Sequence, residues 1–164
     1  MCASPVIERR DDLIVPVSED EWKVRVDLAA CYRLVAHFEM DDLFATHITV
    51  KVPGPEMHFL LNPYGVHFSE VTASSLVKVD LDGNIVSDTD HVINPAGFVI
   101  HSAIHANRPD AICILHPHTV AGMAISTIEE GLQPWCKKAT RYYKRLAYHD
   151  FEGKAQDMDE RERL

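Results

Sequence analysis

Nowhere does the chain carry the roughly 18 consecutive apolar residues that a membrane-spanning helix needs, so no span is expected. The opening Met1 to Asp12 lacks the apolar core and cleavage site of a secretory signal and carries Glu8-Arg9-Arg10-Asp11-Asp12 instead. Positive charge is scarce. With 16 Lys and Arg against 25 Asp and Glu, the formal charge is -9, the wrong sign for a phosphate backbone or an anionic bilayer. No nucleic-acid or membrane partner is therefore expected, and a small molecule or a protein fits better. Cysteine is sparse and scattered: Cys2, Cys31, Cys113 and Cys136 form no Cys-x-x-Cys pair, which points to reduced thiols and a cytoplasmic chain. A glycine-rich nucleotide loop, an EF-hand order of acidic residues, internal repeats and low-complexity segments are all missing.

What is present is enough for one domain. At 164 residues, 46% of them hydrophobic, the chain can bury a real core. It also has ten histidines, and their spacing has to decide what they mean. Ala111-Ile112-Cys113-Ile114-Leu115 reads as a strand covered on both faces, and Pro117 interrupts the pairing after it. Residues two apart in an extended chain point the same way, so His116 and His118 can offer their imidazoles to one divalent metal ion.

Residues 1–17 read as an N-terminal arm and 18–164 as the domain. Ser18-Glu19-Asp20-Glu21 has the form of a capping box opening a helix that runs to about Met40. Trp22, Val26, Ala29, Leu34, Val35 and Phe38 supply its apolar side, with Lys23, Arg25, Asp27 and Arg33 elsewhere. His47 to Val52 has the β-branched enrichment of a strand, Pro53-Gly54-Pro55 turns it, and Met57 to Leu61 is its hairpin partner. A second hairpin is expected where Leu76 to Asp80 and Ile85-Val86 flank Asp82-Gly83, so the sheet should be largely antiparallel. Asn94-Pro95-Ala96-Gly97 leads into a helix over Phe98 to Ala106, stopped by Asn107-Arg108-Pro109-Asp110. Thr119 to Thr127 should be a helix close against the metal strand, with Gly122 permitting the approach. Pro134 to Leu146 resists assignment, Ala147 to Phe151 reads as a short strand, and Asp157 to Leu164 as the start of a capped helix that implies further chain.

In this order, Thr46-His47-Ile48-Thr49-Val50-Lys51, Asn62-Pro63-Tyr64-Gly65, Asn94 to His101, Arg108-Pro109-Asp110-Ala111, His116-Pro117-His118 and Leu146 to Gly153 resemble the class II aldolase and adducin head-domain family over nearly the whole chain. The resemblance implies a three-layer α/β/α fold with a central mainly antiparallel sheet, and a homo-oligomer, often a tetramer. It implies a divalent metal, zinc first, held by three histidines and polarising a substrate carbonyl when a carbon–carbon bond breaks. His116 and His118 match two of those ligands. The third lies in an Asn-His-Gly element beyond Leu164. Gly97 falls where the sugar-phosphate branch has its acid-base glutamate, as in the adducin-like branch.

On that resemblance His47, Asn62, Gly65, Asn94 and Gly97 line the substrate pocket, but the phosphate-binding serines and threonines are replaced, which disfavours a phosphorylated sugar. The expected function is that of a metal-dependent aldolase-type lyase acting on a small carbonyl or hydroxyacid compound. The alternative is a non-catalytic adducin-like scaffold or binding module. His101 and His105, four apart without an intervening metalloprotease glutamate, read as helix-packing or solvent-facing, and His149 as a weaker third-ligand candidate. Lys137, Lys138, Arg141, Lys144 and Arg145 read as a solvated or subunit-facing surface.

Overall fold

A computed structural model of the chain describes residues 17–43 and 45–150. Most of the N-terminal arm, Phe151 and the helix expected at Asp157 to Leu164 lie outside the described residues. Among those described, no helix is long and apolar enough to cross a membrane.

Helix α1 spans Glu19–His37 and opens as its sequence demands. The Ser18 hydroxyl accepts from the Glu21 N–H, and Glu19, Asp20 and Glu21 place negative charge in the first turn. The Glu21 carboxylate is committed elsewhere: one oxygen takes Arg25 Nε at 2.9 Å and the other Lys78 Nζ at 2.9 Å. That commitment shifts the buried stripe from the one expected. Glu21, Arg25, Leu28, Ala29, Tyr32 and Val35 face inward, while Leu34 and Phe38 are exposed. Arg25 is only 2% exposed, because Glu21 and the carbonyls of Ala73 and Leu76 satisfy its guanidinium.

Four strands follow, β1 (His47–Lys51), β2 (Phe59–Leu61), β3 (Val77–Val79) and β4 (Cys113–His116), ordered β3-β2-β1-β4 with every pairing antiparallel. The first expected hairpin forms with Val50 opposite Leu60. The second shrinks to the single bridge Val79 to Ile85 around Gly83, whose φ of +88° suits a residue without a side chain. Asp80 holds that turn by accepting from the Asp82 and Asn84 backbone N–H groups.

Alternation of side chains splits the sheet into two faces. Ile48 and Leu60 join Leu28, Tyr32, Val35, Phe68, Val71 and Leu76 in the core under α1. Phe59, Leu61, Val77 and Val79 join Phe98 and Val99 of α2 (Pro95–Asn107) on the opposite face. Helices therefore cover both faces, as a three-layer α/β/α fold requires. α2 starts earlier than expected, capped by the Asn94 side chain, so Gly97 sits in its first turn.

Beyond Asn107 the expectations fare less well. β4 is the outer strand among those described and alternates exposed with half-buried residues instead of being covered on both faces. α3 (Val120–Ser126) buries none of its residues, and a Cβ on Gly122 would meet the Thr119 hydroxyl, its own cap, and not the strand. Residues 147–150 carry no regular structure, and the unassigned stretch before them holds one short 3-10 turn at Ala139–Tyr142.

Candidate functional site

The register of β1 against β4 sets His47 opposite His116. On β1, His47 and Thr49 share the face toward α2, and on α2 His101 and His105 are one helical turn apart and face β1. Thr49 Oγ1 lies 2.8 Å from His101 Nδ1 and 2.8 Å from His105 Nε2. The protons in this clasp can be assigned. His105 Nδ1 lies 3.1 Å from the Ala111 carbonyl, which can only accept, so Nδ1 donates and Nε2 of the neutral ring accepts the Thr49 hydroxyl proton. Thr49 has no second proton, so its oxygen accepts from His101 Nδ1–H.

Burial disfavours charge on these rings. It pulls the His105 pKa down to about 4, and His101, with His47 and His105 as neighbours, falls further in the same direction. Both rings are fully buried, so of the two roles expected for them the packing one is realised.

His116 and His118 converge. Their Nε2 atoms are 3.0 Å apart, close to the roughly 3.3 Å that two nitrogens take around a tetrahedral zinc ion. His118 is oriented from behind by Asp42, whose carboxylate accepts from His118 Nδ1 at 2.9 Å, and the His118 backbone N–H donates to Met40 O. That arrangement leaves Nε2 as the proton-free nitrogen, turned toward His116, which is how a carboxylate prepares an imidazole for a metal. Burial first, and then the neighbouring His118, lower the His116 pKa, which keeps the ring neutral, its Nε2–H donating to the bare His118 Nε2.

Between the clasp and the pair lies His47, 4% exposed, its ring centroid 4.2 Å from that of His101 and 4.9 Å from that of His116. Neither of its ring nitrogens meets strict hydrogen-bond geometry, the Ala45 backbone being the nearest partner, and they are the buried side-chain atoms of which this holds among the described residues. Such a group costs about 1–3 kcal/mol when left unmade. Burial, with His116 and His118 beside it, brings its pKa down to about 4. Its ring also accounts for Gly97. A Cβ at position 97 would come 2.6 Å from His47 Cδ2 and 2.9 Å from Nε2, so any larger residue there displaces the ring.

Of the residues expected to bind substrate, His47 and Gly97 are thus brought together beside the His116–His118 pair. The others have visible structural work. Asn62 is buried against Tyr32, whose hydroxyl accepts from the Ile48 and Asn62 backbone N–H groups and has its single proton within reach of the Ile48 carbonyl or Asn62 Oδ1. Gly65 turns the chain at φ +82°, and Asn94 caps α2. His149 lies in exposed irregular chain, and the five basic residues from Lys137 to Arg145 are exposed, Arg141 within the short 3-10 turn. Among the described residues no three His, Cys, Asp or Glu side chains are gathered as a metal cage. An open hollow of about 570 Å³ lined by Ile125, Ile128, Leu132, Trp135 and Cys136 includes none of the histidines. Asp42 escaped sequence reasoning altogether, since nothing in its neighbourhood marks it. The Thr49 clasp left a signal, spacing of two on a strand and four on a helix, that pairing the two elements would have exposed.

Comparison with known proteins identifies the family and the fold. The family model described as class II aldolase and adducin N-terminal domain matches residues 26–162. A protein of Caulobacter vibrioides named "Putative aldolase class 2 protein" is 56% identical over 148 residues, 90% of this chain and 58% of that protein. Alpha-adducin of Rattus norvegicus is 44% identical over 96% of this chain but 22% of its own length. Among solved structures, an aldolase II superfamily protein from Pseudomonas syringae superposes with a TM-score of 0.86 at 52% identity, covering 90% of this chain and 60% of that one. An L-fuculose 1-phosphate aldolase from Glaciozyma antarctica gives 0.72 at 31% identity, over 79% and 55%. The chain therefore spans less than two thirds of the relatives it matches.

Proposed function

Because the chain belongs to the family of class II aldolases and adducin N-terminal domains, we propose that it holds a divalent metal ion, zinc first, on His116 and His118 and acts on a small carbonyl or hydroxyacid compound. The observation that carries this reading is the convergence of the two Nε2 atoms with Asp42 fixing one ring from behind. A metal bound there would supply Lewis acidity to a substrate oxygen. The chain's own residues then have distinct tasks. Asp42 holds the His118 tautomer. Thr49, His101 and His105 make a neutral, hydrogen-bonded wall that places no charge against the pair. His47 and Gly97 fill the floor between wall and pair, and we assign them, with Asn62, Gly65 and Asn94 as the supporting loops, to the substrate side. The activity is that of an aldolase-type lyase working as a homo-oligomer in the cytoplasm.

A second reading, a non-catalytic adducin-like scaffold, is favoured by one observation. At the first turn of α2 the His47 ring takes the space a side chain at position 97 would use, so no carboxylate stands there to move a proton.

Metal analysis separates the outcomes. The purified chain should hold zinc stoichiometrically and the His116→Ala/His118→Ala double variant should lose it. Equal trace metal in both would overturn the metal reading. Turnover of retro-aldol or decarboxylation substrates by the metal-loaded protein then distinguishes enzyme from scaffold.

A further inference from the structure

We infer that the turn Arg108-Pro109-Asp110-Ala111 is a register clamp for β4, with His105 and Lys51 as positioning residues that keep His116 on the α2 face of the sheet, beside His118. A strand's register is set by its hydrophobic pattern and by the turn that feeds it, and a slip of one residue sends every side chain to the other face. The pattern does not discriminate here. Ile112, Cys113, Ile114 and Leu115 are apolar on both faces, so sliding β4 by one residue exchanges apolar side chains for apolar side chains. The same slide carries His116 away from His47, across the ladder from it, to the face under α1. The turn has to decide.

That turn is closed on itself and held from two elements. Arg108 reaches the Asp110 carboxylate through Nε at 2.9 Å and Nη2 at 2.7 Å, and the Ala111 N–H donates to the Arg108 carbonyl at 3.0 Å. Lys51, the last residue of β1, donates from Nζ to the Arg108 and Pro109 carbonyls at 3.1 and 3.3 Å, and from its backbone N–H to the Ile112 carbonyl at 2.9 Å. From α2, the buried His105 donates Nδ1–H to the Ala111 carbonyl at 3.1 Å while Thr49 of β1 fixes its other nitrogen. A slip of one residue moves the Ala111 carbonyl by roughly 3.4 Å, one strand repeat, and leaves a buried ring nitrogen without its acceptor. The clamp itself needs no metal; its consequence for zinc rests on the metal-binding reading above.

Cross-strand nuclear Overhauser contacts in the whole metal-free chain test this. The unchanged chain should give one set of β4 signals, with His47 opposite His116. His105→Phe keeps a ring and removes the donor, and it should add a second set in which His47 faces Leu115 or Pro117. Lys51→Met keeps the stem of a partly exposed residue and should show a smaller second set, which carries the test if His105→Phe does not fold. Zinc affinity, measured by competition with a chelator, should fall with the fraction left in register, about twofold where half has slipped, and added zinc should convert the second set into the first. A single, unshifted set in every variant that folds overturns the inference. A second set that zinc does not convert, with affinity unchanged, overturns the link between clamp and site. No zinc binding by the unchanged chain removes the metal reading alone, and the cross-strand contacts still decide the register.

Discussion

β1 and β4 pair residue for residue, His47 with His116 and Ile48 with Leu115, yet they lie in opposite surroundings. β1 has strands on both sides and helices over both faces, and its first three residues are buried. β4 is the outer strand of the described sheet, and Leu115 is 42% exposed opposite a fully buried Ile48. Placement in the sheet, not residue type, makes the difference, since both strands are rich in β-branched and apolar residues. The consequence for the site is a division of labour. The histidines clasped to Thr49 of β1 are dry and locked, whereas those on and after β4 keep a side open to whatever binds.

The sharpest way to break this comparison is to cut the same apolar bulk from each strand. Ile48→Ala should cost about 2–5 kcal/mol because it leaves a cavity in the core under α1. Leu115→Ala should cost less than about 1 kcal/mol, since much of that side chain already meets solvent. Urea melts of the two variants decide it, and equal losses would mean that β4 is covered in solution.

Acid should act on the locked side next. Folding lowers the pKa of His105 to about 4 and that of His101 further, so at mildly acid pH the unfolded chain binds protons that the folded chain refuses. The stability from these neutral rings is complete above the ordinary histidine value of about 6.5 and falls as pH drops toward the folded values. The expected slope is about 1.4 kcal/mol per pH unit for each histidine within that window. Denaturant melts between pH 7 and pH 4.5 measure it. A flat profile would mean that the clasp is not dry.

Legibility in the sequence followed the same divide. α1, β1, β2 and α2 could be read because caps, turns and periodicity are local signals, and Ser18 and the Pro53-Gly54-Pro55 turn did what their chemistry allows. The buried stripe of α1 could not be read, because Arg25 turns inward only to reach the carbonyls of Ala73 and Leu76, far along the chain. Nor could the exposure of β4, since an apolar run reports that a strand wants cover and not whether cover is present. The histidine pair was visible from its spacing of two. Its surroundings were not, because His47 meets His116 only through the ladder and Asp42 reaches His118 only through the fold.

Asp42 offers the smallest and most specific test of the open side. Its carboxylate is largely exposed and touches His118 at one nitrogen, so Asp42→Asn should leave the melting transition nearly unchanged. An amide oxygen can still accept from His118 Nδ1, but without the charge that strengthens the bond and holds the ring in place. Zinc affinity should therefore drop by about tenfold, the lower end of what the loss of such an orienting partner costs. Asp42→Ala, which removes the acceptor as well, should fall further in the same direction, again with little change in stability. If both variants bind zinc as the unchanged chain does, Asp42 is a surface neighbour of His118 and the open side lacks the preorganisation argued for it. If both instead unfold the chain, the division between a locked strand and an open one fails at this position, because a residue on the exposed side would then be holding the fold together.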